Sequence, residues 1–191
     1  GCLGGQAGAG ALVDVLTGEI RETDVSVGGG KILGFSHTEA VKVVDAQGAY
    51  LLPGLIDAHI HIESSMVSPA RFAGLVLPHG TTSVVADPHE IANVHGLEGI
   101  RYMLENGRHL PLNIFIALPS CVPATPFEDS GAVLSAEELE ELIDDPKVTG
   151  IGEMMNFPGV VSGDYDVLAK IQLGTSHGKI VDGHAPGLLG R

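Results

Sequence analysis

Tryptophan is absent from the 191 residues, and aromatic side chains make up only 4% of them. A base-stacking platform is built from aromatic faces, so this shortage argues against nucleic acid as a partner. Cations are scarce as well: 10 Lys and Arg stand against 24 Asp and Glu, a formal charge of -14. Phosphate binding needs clustered cations, so neither DNA, RNA nor an anionic lipid surface is expected. The two cysteines, Cys2 and Cys121, cannot make a disulfide framework. No apolar run reaches the roughly 18 residues of a transmembrane helix. A secretory signal would need a cationic start and an apolar run of roughly 7–15 residues, and the first ten residues offer neither. A cytoplasmic location is expected.

What is plentiful is apolar material, 44% of the chain against 18% charged. That suffices for a sizeable core and is too much for a disordered chain. The sequence starts at Gly1, and its first ten residues hold five glycines and no charge. Residues 1–10 are therefore expected to be a disordered or non-native end.

Residues 11–52 read as short strands and turns. Thr17-Gly18 separates two β-branched stretches, and Gly28-Gly29-Gly30 sits inside an alternating pattern, a hairpin signal. This reads as a small β-unit of about 40 residues, marginal by itself because so few strands bury little surface. After residue 52 the pattern changes. Apolar runs alternate with amphipathic stretches, and these runs end at Asp57, Asp87, Leu118, Glu153 and His184. A strand–helix repeat of about 30 residues reads as βα units on a parallel sheet. A doubly wound sheet and a (β/α)8 barrel share this rhythm. The barrel is favoured because metal-type residues recur at the strand ends, where barrel active sites lie. A whole barrel needs about 250 residues, so residues 53–191 are expected to form about five of eight units, and the chain to be a fragment. An incomplete barrel would leave an open edge and exposed core, so poor expression and no activity are expected of it.

The strongest chemical signal is Asp57-Ala-His59-Ile-His61. On a strand, residues i and i+2 face one side, so His59 and His61 can share a metal ion. The bland alternative is a solvated histidine pair, which the apolar run before it disfavours. Glu153 closes another apolar run, where a buried carboxylate needs a partner or a metal; it could also be an exposed strand tip. His184 closes the next repeat in register. This mixed N/O set suits Mn2+, Fe2+ or Zn2+ and not a thiolate site. Asp87-Pro88-His89-Glu90 has a good structural reading, with Asp87 as N-cap, Pro88 at N1 and Glu90 at N3. His89 and Glu90 could also touch a substrate, as could Ser120 after the third strand. Cys121 is expected to be a packed thiol. His37, His79, His95, His109 and His177 receive no role, and the acidic helix at 135–145 is expected to be a solvated face.

The run PGLIDAHIHIESSM resembles the first barrel strand of the amidohydrolase superfamily. HGTTSVVADPHEIANVHGLEGIRYML, LPSCVPATPFEDSGA, GIGEMMNFPGV and VDGHAPGL resemble the adenine deaminase family within it, over residues 12–190. The resemblance implies hydrolysis of adenine to hypoxanthine and ammonia at a site of two divalent ions, commonly Mn2+. It identifies His59, His61, Glu153 and His184 with metal ligands, Glu153 as the bridge, and residues 12–52 with the N-terminal part of a small, split β-sandwich domain. It also implies a catalytic aspartate after the eighth strand, beyond Arg191, so no general base is assigned in this chain. A homo-oligomer is expected of the complete protein. Two alternatives stay open: another superfamily member acting on cyclic amides, many of which carry a carboxylated lysine where Glu153 stands, and a metal-binding remnant without catalysis. The zinc deaminases that use H-x-E with P-C-x-x-C are excluded, because Cys121 has no such partner.

Overall fold

A computed structural model describes residues 5–36, 39–125, 127–187 and 189; His37, for which no role is expected, and Cys2 lie outside the described residues. The chain divides into two compact units, Gly1–Pro53 and Gly54–Arg191.

The first unit is one five-stranded sheet: β1 (Gly5–Asp14), β2 (Glu19–Gly28), β3 (Lys31–Gly34), β4 (Lys42–Asp45) and β5 (Tyr50–Leu51). The order is β3-β2-β1-β4, with β5 also on β1. Both expected turns are present. Asp14 Oδ1 accepts from the Leu16 and Thr17 amides and closes the first. Gly29 and Gly30 turn the second with φ of +58° and +74°, the backbone that a two-residue hairpin loop needs and that glycine adopts freely. Gly5–Gly10, in the segment expected to lack regular structure, form the first part of β1. They pair with β2 on one side and β4 on the other.

The second unit alternates as the 30-residue rhythm predicts. Its strands are β6 (Leu55–Ile60), β7 (Thr81–Ala86), β8 (Asn113–Leu118), β9 (Val148–Met154) and β10 (Ile180–Gly183). Its helices are α1 (Pro69–Val76), α2 (His89–Gly107), α3 (Ala136–Ile143), α4 (Phe157–Ser162) and α5 (Tyr165–Ser176). All strand pairs are parallel, in chain order from β6 to β10. The sheet curls strongly. Five flat strands would set the edges about 19 Å apart, yet His59 on β6 and Asp182 on β10 bring side-chain atoms to 3.4 Å. This is a partial (β/α) barrel.

Strand residues Val84, Ile114, Ile116 and Ile151 meet Phe72, Ile100, Met103, Leu139 and Ile143 from the helices in one buried core. Helix α3 starts with a full capping box: the Glu138 amide donates to Ser135 Oγ, and the Ser135 amide to Glu138 Oε2. Its acidic face is only partly a solvated one. Glu141 and Asp145 pair with Arg101 of α2 and Arg108 just past its end, each at 2.6 Å. Helix α2 breaks at Gly96 (φ +58°, ψ -140°); the freed Asn93 carbonyl accepts from the Gly131 amide at 2.7 Å. Helix α4 has no amphipathic signal at six residues. Asn156 caps it, accepting from the Gly159 amide.

Burial opposes ionisation of Asp145, but the Lys147 amide and the Arg108 guanidinium outweigh it and hold the carboxyl below its usual range. A depressed folded-state value contributes stability that is complete above the unfolded value of about 3.9 and lost as pH falls through the folded one. Asp145→Asn is expected to cost about 1 kcal/mol at neutral pH. In urea unfolding the difference from wild type should shrink below about pH 4.

Candidate metal centre

The C-terminal ends of β6, β7, β9 and β10 converge on one cluster. His59 lies on β6 and His61 one residue past its end. Their Nε2 atoms are 3.2 Å apart. Glu153 of β9 puts Oε2 3.6 Å from His59 Nε2 and 3.7 Å from His61 Nε2. Three atoms so spaced share a point about 2.0 Å from each, the distance at which zinc sits from imidazole nitrogen and carboxylate oxygen. His59, His61 and Glu153 therefore form a group that could hold a metal ion.

His61 is oriented for this. Its Nδ1 lies 2.8 Å from the Asp87 backbone oxygen. A carbonyl only accepts, so Nδ1 carries the proton and Nε2 presents its lone pair to the cluster. On the outer side of Glu153, His184 Nδ1 lies 2.5 Å from Oε1. The carboxylate thus faces His59 and His61 with one oxygen and His184 with the other.

The flank toward α2 differs from the expected cap. The helix starts at His89 with Pro88 as N-cap and no side-chain cap bond. Asp87, only 1% exposed, instead accepts the Glu153 amide on Oδ2 at 2.8 Å. A strand amide aimed at its carboxylate is a better partner than a helix end that a proline has already deprived of one N–H. Gly152 makes room: a Cβ there would lie 2.4 Å from Asp87 Oδ2. His89 is near, with Nδ1 3.6 Å from Asp87 Oδ1 and its ring 4.4 Å from that of His61. The Asp87 carboxylate chiefly lifts the His89 imidazole above its usual value; burial opposes, and Glu90 and Glu153 add.

Glu90 accepts from Ser64 Oγ, and Glu63 from the Ile91 amide at 3.3 Å. Burial pushes the Glu63 carboxyl up. Burial acts in the same sense on Glu90, but the Ser64 hydroxyl and His89 outweigh it and hold that carboxyl down. Ser120 is buried and stands apart from these ligand atoms. Its hydroxyl donates to the Glu153 carbonyl at 2.7 Å, so it fixes the β9 backbone. Cys121 is packed as expected, its Sγ 3.7 Å from Met154 Sδ.

Asp87, Asp182 and Glu63 were not singled out as site residues by their sequence pattern. Asp182 stands two before His184 and Glu63 two after His61, so the i, i+2 rule that pairs His59 with His61 also reaches them. Asp87 was hidden by its plausible reading as a cap.

A curled parallel sheet with a histidine–carboxylate cluster at its C-terminal edge is the arrangement of barrel hydrolases, and the chain belongs to the amidohydrolase family, whose model matches residues 50–190. It is 64% identical over 180 residues to the adenine deaminase of Nitratidesulfovibrio vulgaris, covering 94% of this chain and 31% of that protein. It is 53% identical over 179 residues to the adenine deaminase of Desulfatibacillum aliphaticivorans, covering 94% and 32%. The chain thus spans about a third of the length of these curated relatives. A solved N-acyl-D-glutamate deacylase from Bordetella bronchiseptica, complexed with zinc and a phosphonate inhibitor, shares the fold: TM-score 0.65 at 17% identity, over 94% of this chain and 44% of that one. No helix among the described residues is long and apolar enough to cross a membrane.

Proposed function

We propose that the chain is part of a cytoplasmic, metal-dependent adenine deaminase, converting adenine and water to hypoxanthine and ammonia. The reading is carried by the meeting of His59, His61 and Glu153 in a chain 64% identical to one adenine deaminase. His59, His61 and Glu153 Oε2 would hold one divalent ion, Mn2+ before Fe2+ or Zn2+, and Glu153 Oε1 with His184 would contribute to a second. Such an ion supplies a hydroxide nucleophile at neutral pH and polarises the atom attacked.

The chain's own residues position the reactants. Asp87 and Ser120 hold the main chain of Glu153 on both sides, through its N–H and C=O, and so fix the strand position from which the carboxylate reaches the histidines. The Asp87 carbonyl fixes the His61 tautomer. Glu90 keeps one oxygen without a hydrogen-bond partner, and His89 Nε2 lies 3.7 Å from it. These two are the chain's candidates for the donors and acceptors around the purine ring. Ser120 has spent its proton on β9 and would assist only through that strand. Glu153 occupies the place of the carboxylated lysine used by many cyclic-amide hydrolases, which favours adenine over that alternative.

The test uses protein expressed from the complete reading frame that contains this sequence, loaded with Mn2+. It should release ammonia from adenine, and His61→Asn should lower kcat/KM by about 100-fold or more. Turnover of dihydropyrimidines and not of adenine would sink the reading.

A further inference from the structure

Between the loop after β8 and helix α5 lies a cavity of about 270 Å3, close to the ~300 Å3 at which small-molecule sites begin. Its walls come from the segments that follow β8 and β9, in the middle of the sheet and at neither edge. None of His59, His61, Glu153 and His184 lines it. One part of the wall is apolar: Cys121, Val122, Leu134 and Val167 are each at most 5% exposed. Lys170 stands in the other part. It is 3% exposed and is the only buried cation among the described residues.

The burial of Lys170 is not explained by its ion pair. Its partner among the described residues is Asp166, one turn earlier on α5, with Nζ 2.6 Å from Oδ2. The Asp166 side chain is half exposed, and an i, i+4 pair forms equally well on a helix surface. Enclosing an ammonium is costly, and lysine stems ordinarily carry the head out to water. The ammonium has three N–H donors, and Asp166 takes one. The donors left over face the cavity and call for an acceptor inside it.

The chemistry of the wall selects the ligand. A donor on Lys170 and an acceptor on Asp166 stand side by side, next to apolar surface. A lactam edge (C=O beside N–H) or an amidine edge (ring N beside NH2) pairs with both at once. Its acceptor takes a proton of Lys170, its N–H donates to Asp166, and its flat ring meets the apolar residues. An anion is a poorer match, because Asp164 and Asp166 both line the cavity and set two carboxylates against one ammonium. A simple cation leaves the spare Lys170 donors without an acceptor. We propose that this cavity binds a planar heterocycle through a lactam or amidine edge, held by Lys170 and Asp166 and apart from the metal centre. Adenine carries the amidine edge and hypoxanthine the lactam edge. The choice of these two as occupants rests on the proposed function.

The test is equilibrium dialysis of the complete protein, stripped of metal by chelator so that nothing is turned over, against adenine and against hypoxanthine in separate arms. Lys170→Met keeps the stem and removes the donors. Ala124→Leu, on the cavity wall, fills the space and leaves Lys170 in place. Each variant should bind one equivalent fewer than wild type in at least one arm, the same arm for both, and that arm names the occupant. Stoichiometry equal to wild type in both arms, for either variant, overturns the proposal. Ala124→Leu decides alone should Lys170→Met fail to fold. Ammonia release from adenine by the Mn2+-loaded wild type is measured alongside. Its absence sinks the proposed function, and the dialysis still decides this site.

Discussion

A Glu153→Gln variant is expected to lose tight metal binding, with Mn2+ affinity at least about 100-fold weaker than wild type. The carboxylate serves both sides of the cluster. Oε2 stands 3.6 and 3.7 Å from His59 and His61, and Oε1 lies 2.5 Å from His184 Nδ1. Glutamine keeps the length but has one neutral acceptor and one NH2. Whichever way the amide turns, a donor replaces an acceptor on one side. If it faces His59 and His61, it points hydrogens at two imidazole lone pairs and occupies the place of a cation. If it faces His184, an NH2 replaces the oxygen that stands 2.5 Å from Nδ1, and an acceptor and candidate ligand atom is lost there. The unit of negative charge is lost in both. Competition against a chelator of known affinity measures the change, and the rise in unfolding temperature that Mn2+ gives the wild type should vanish with it. An affinity within threefold of wild type would remove Glu153 from the ligand set.

The parallel half-barrel was legible because two periods coincide in the sequence. Apolar runs end about every 30 positions, and four of the five ends carry a polar residue. His59 and His61 were legible for the same local reason, since the strand period alone puts them on one side. Their meeting with Glu153 is a tertiary fact. It needs the sheet to curl until β6 and β10 approach, and no window of sequence records that curl. Asp87 shows where local reading misleads. Asp-Pro-His-Glu satisfies every preference for a helix start, yet the carboxylate turns to an amide 66 positions away. Local and long-range partners compete for one side chain, and the buried strand amide wins because it has no water to fall back on. Ser120 was found by its place at a strand end, and its hydroxyl donates to the β9 backbone, a long-range contact that the local pattern does not record. Helix α4 and the break at Gly96 were missed because each depends on a short-range cap or on a loop contact from 35 positions ahead.

Gly150→Ala is expected to destabilise the protein by about 3 kcal/mol or more in urea unfolding, beyond the usual range for a tight core. Gly150 and Ile180 are partners in the β9–β10 register. A Cβ at Gly150 would lie 2.0 Å from the Ile180 carbonyl oxygen and 2.8 Å from its carbon. These are backbone atoms, so no rotamer change relieves the clash. Either β10 separates from β9 or the register shifts, and both break ladder hydrogen bonds at the same place. The consequence reaches the metal centre. Asp182 and His184 lie two and four residues past Ile180, and moving β10 draws His184 off Glu153 and Asp182 off His59. Gly150→Ala should therefore weaken Mn2+ binding as well as lower stability. Gly74→Ala, at an exposed position of α1 with nothing within 4 Å of the added Cβ, should instead gain roughly 0.5–1 kcal/mol through the unfolded state. The two substitutions add the same methyl group. Opposite signs in one unfolding series would show that the glycine at Gly150 is required by the approach of two backbones and not by glycine content as such. Equal and small effects would mean that β10 does not pack on β9 in this register.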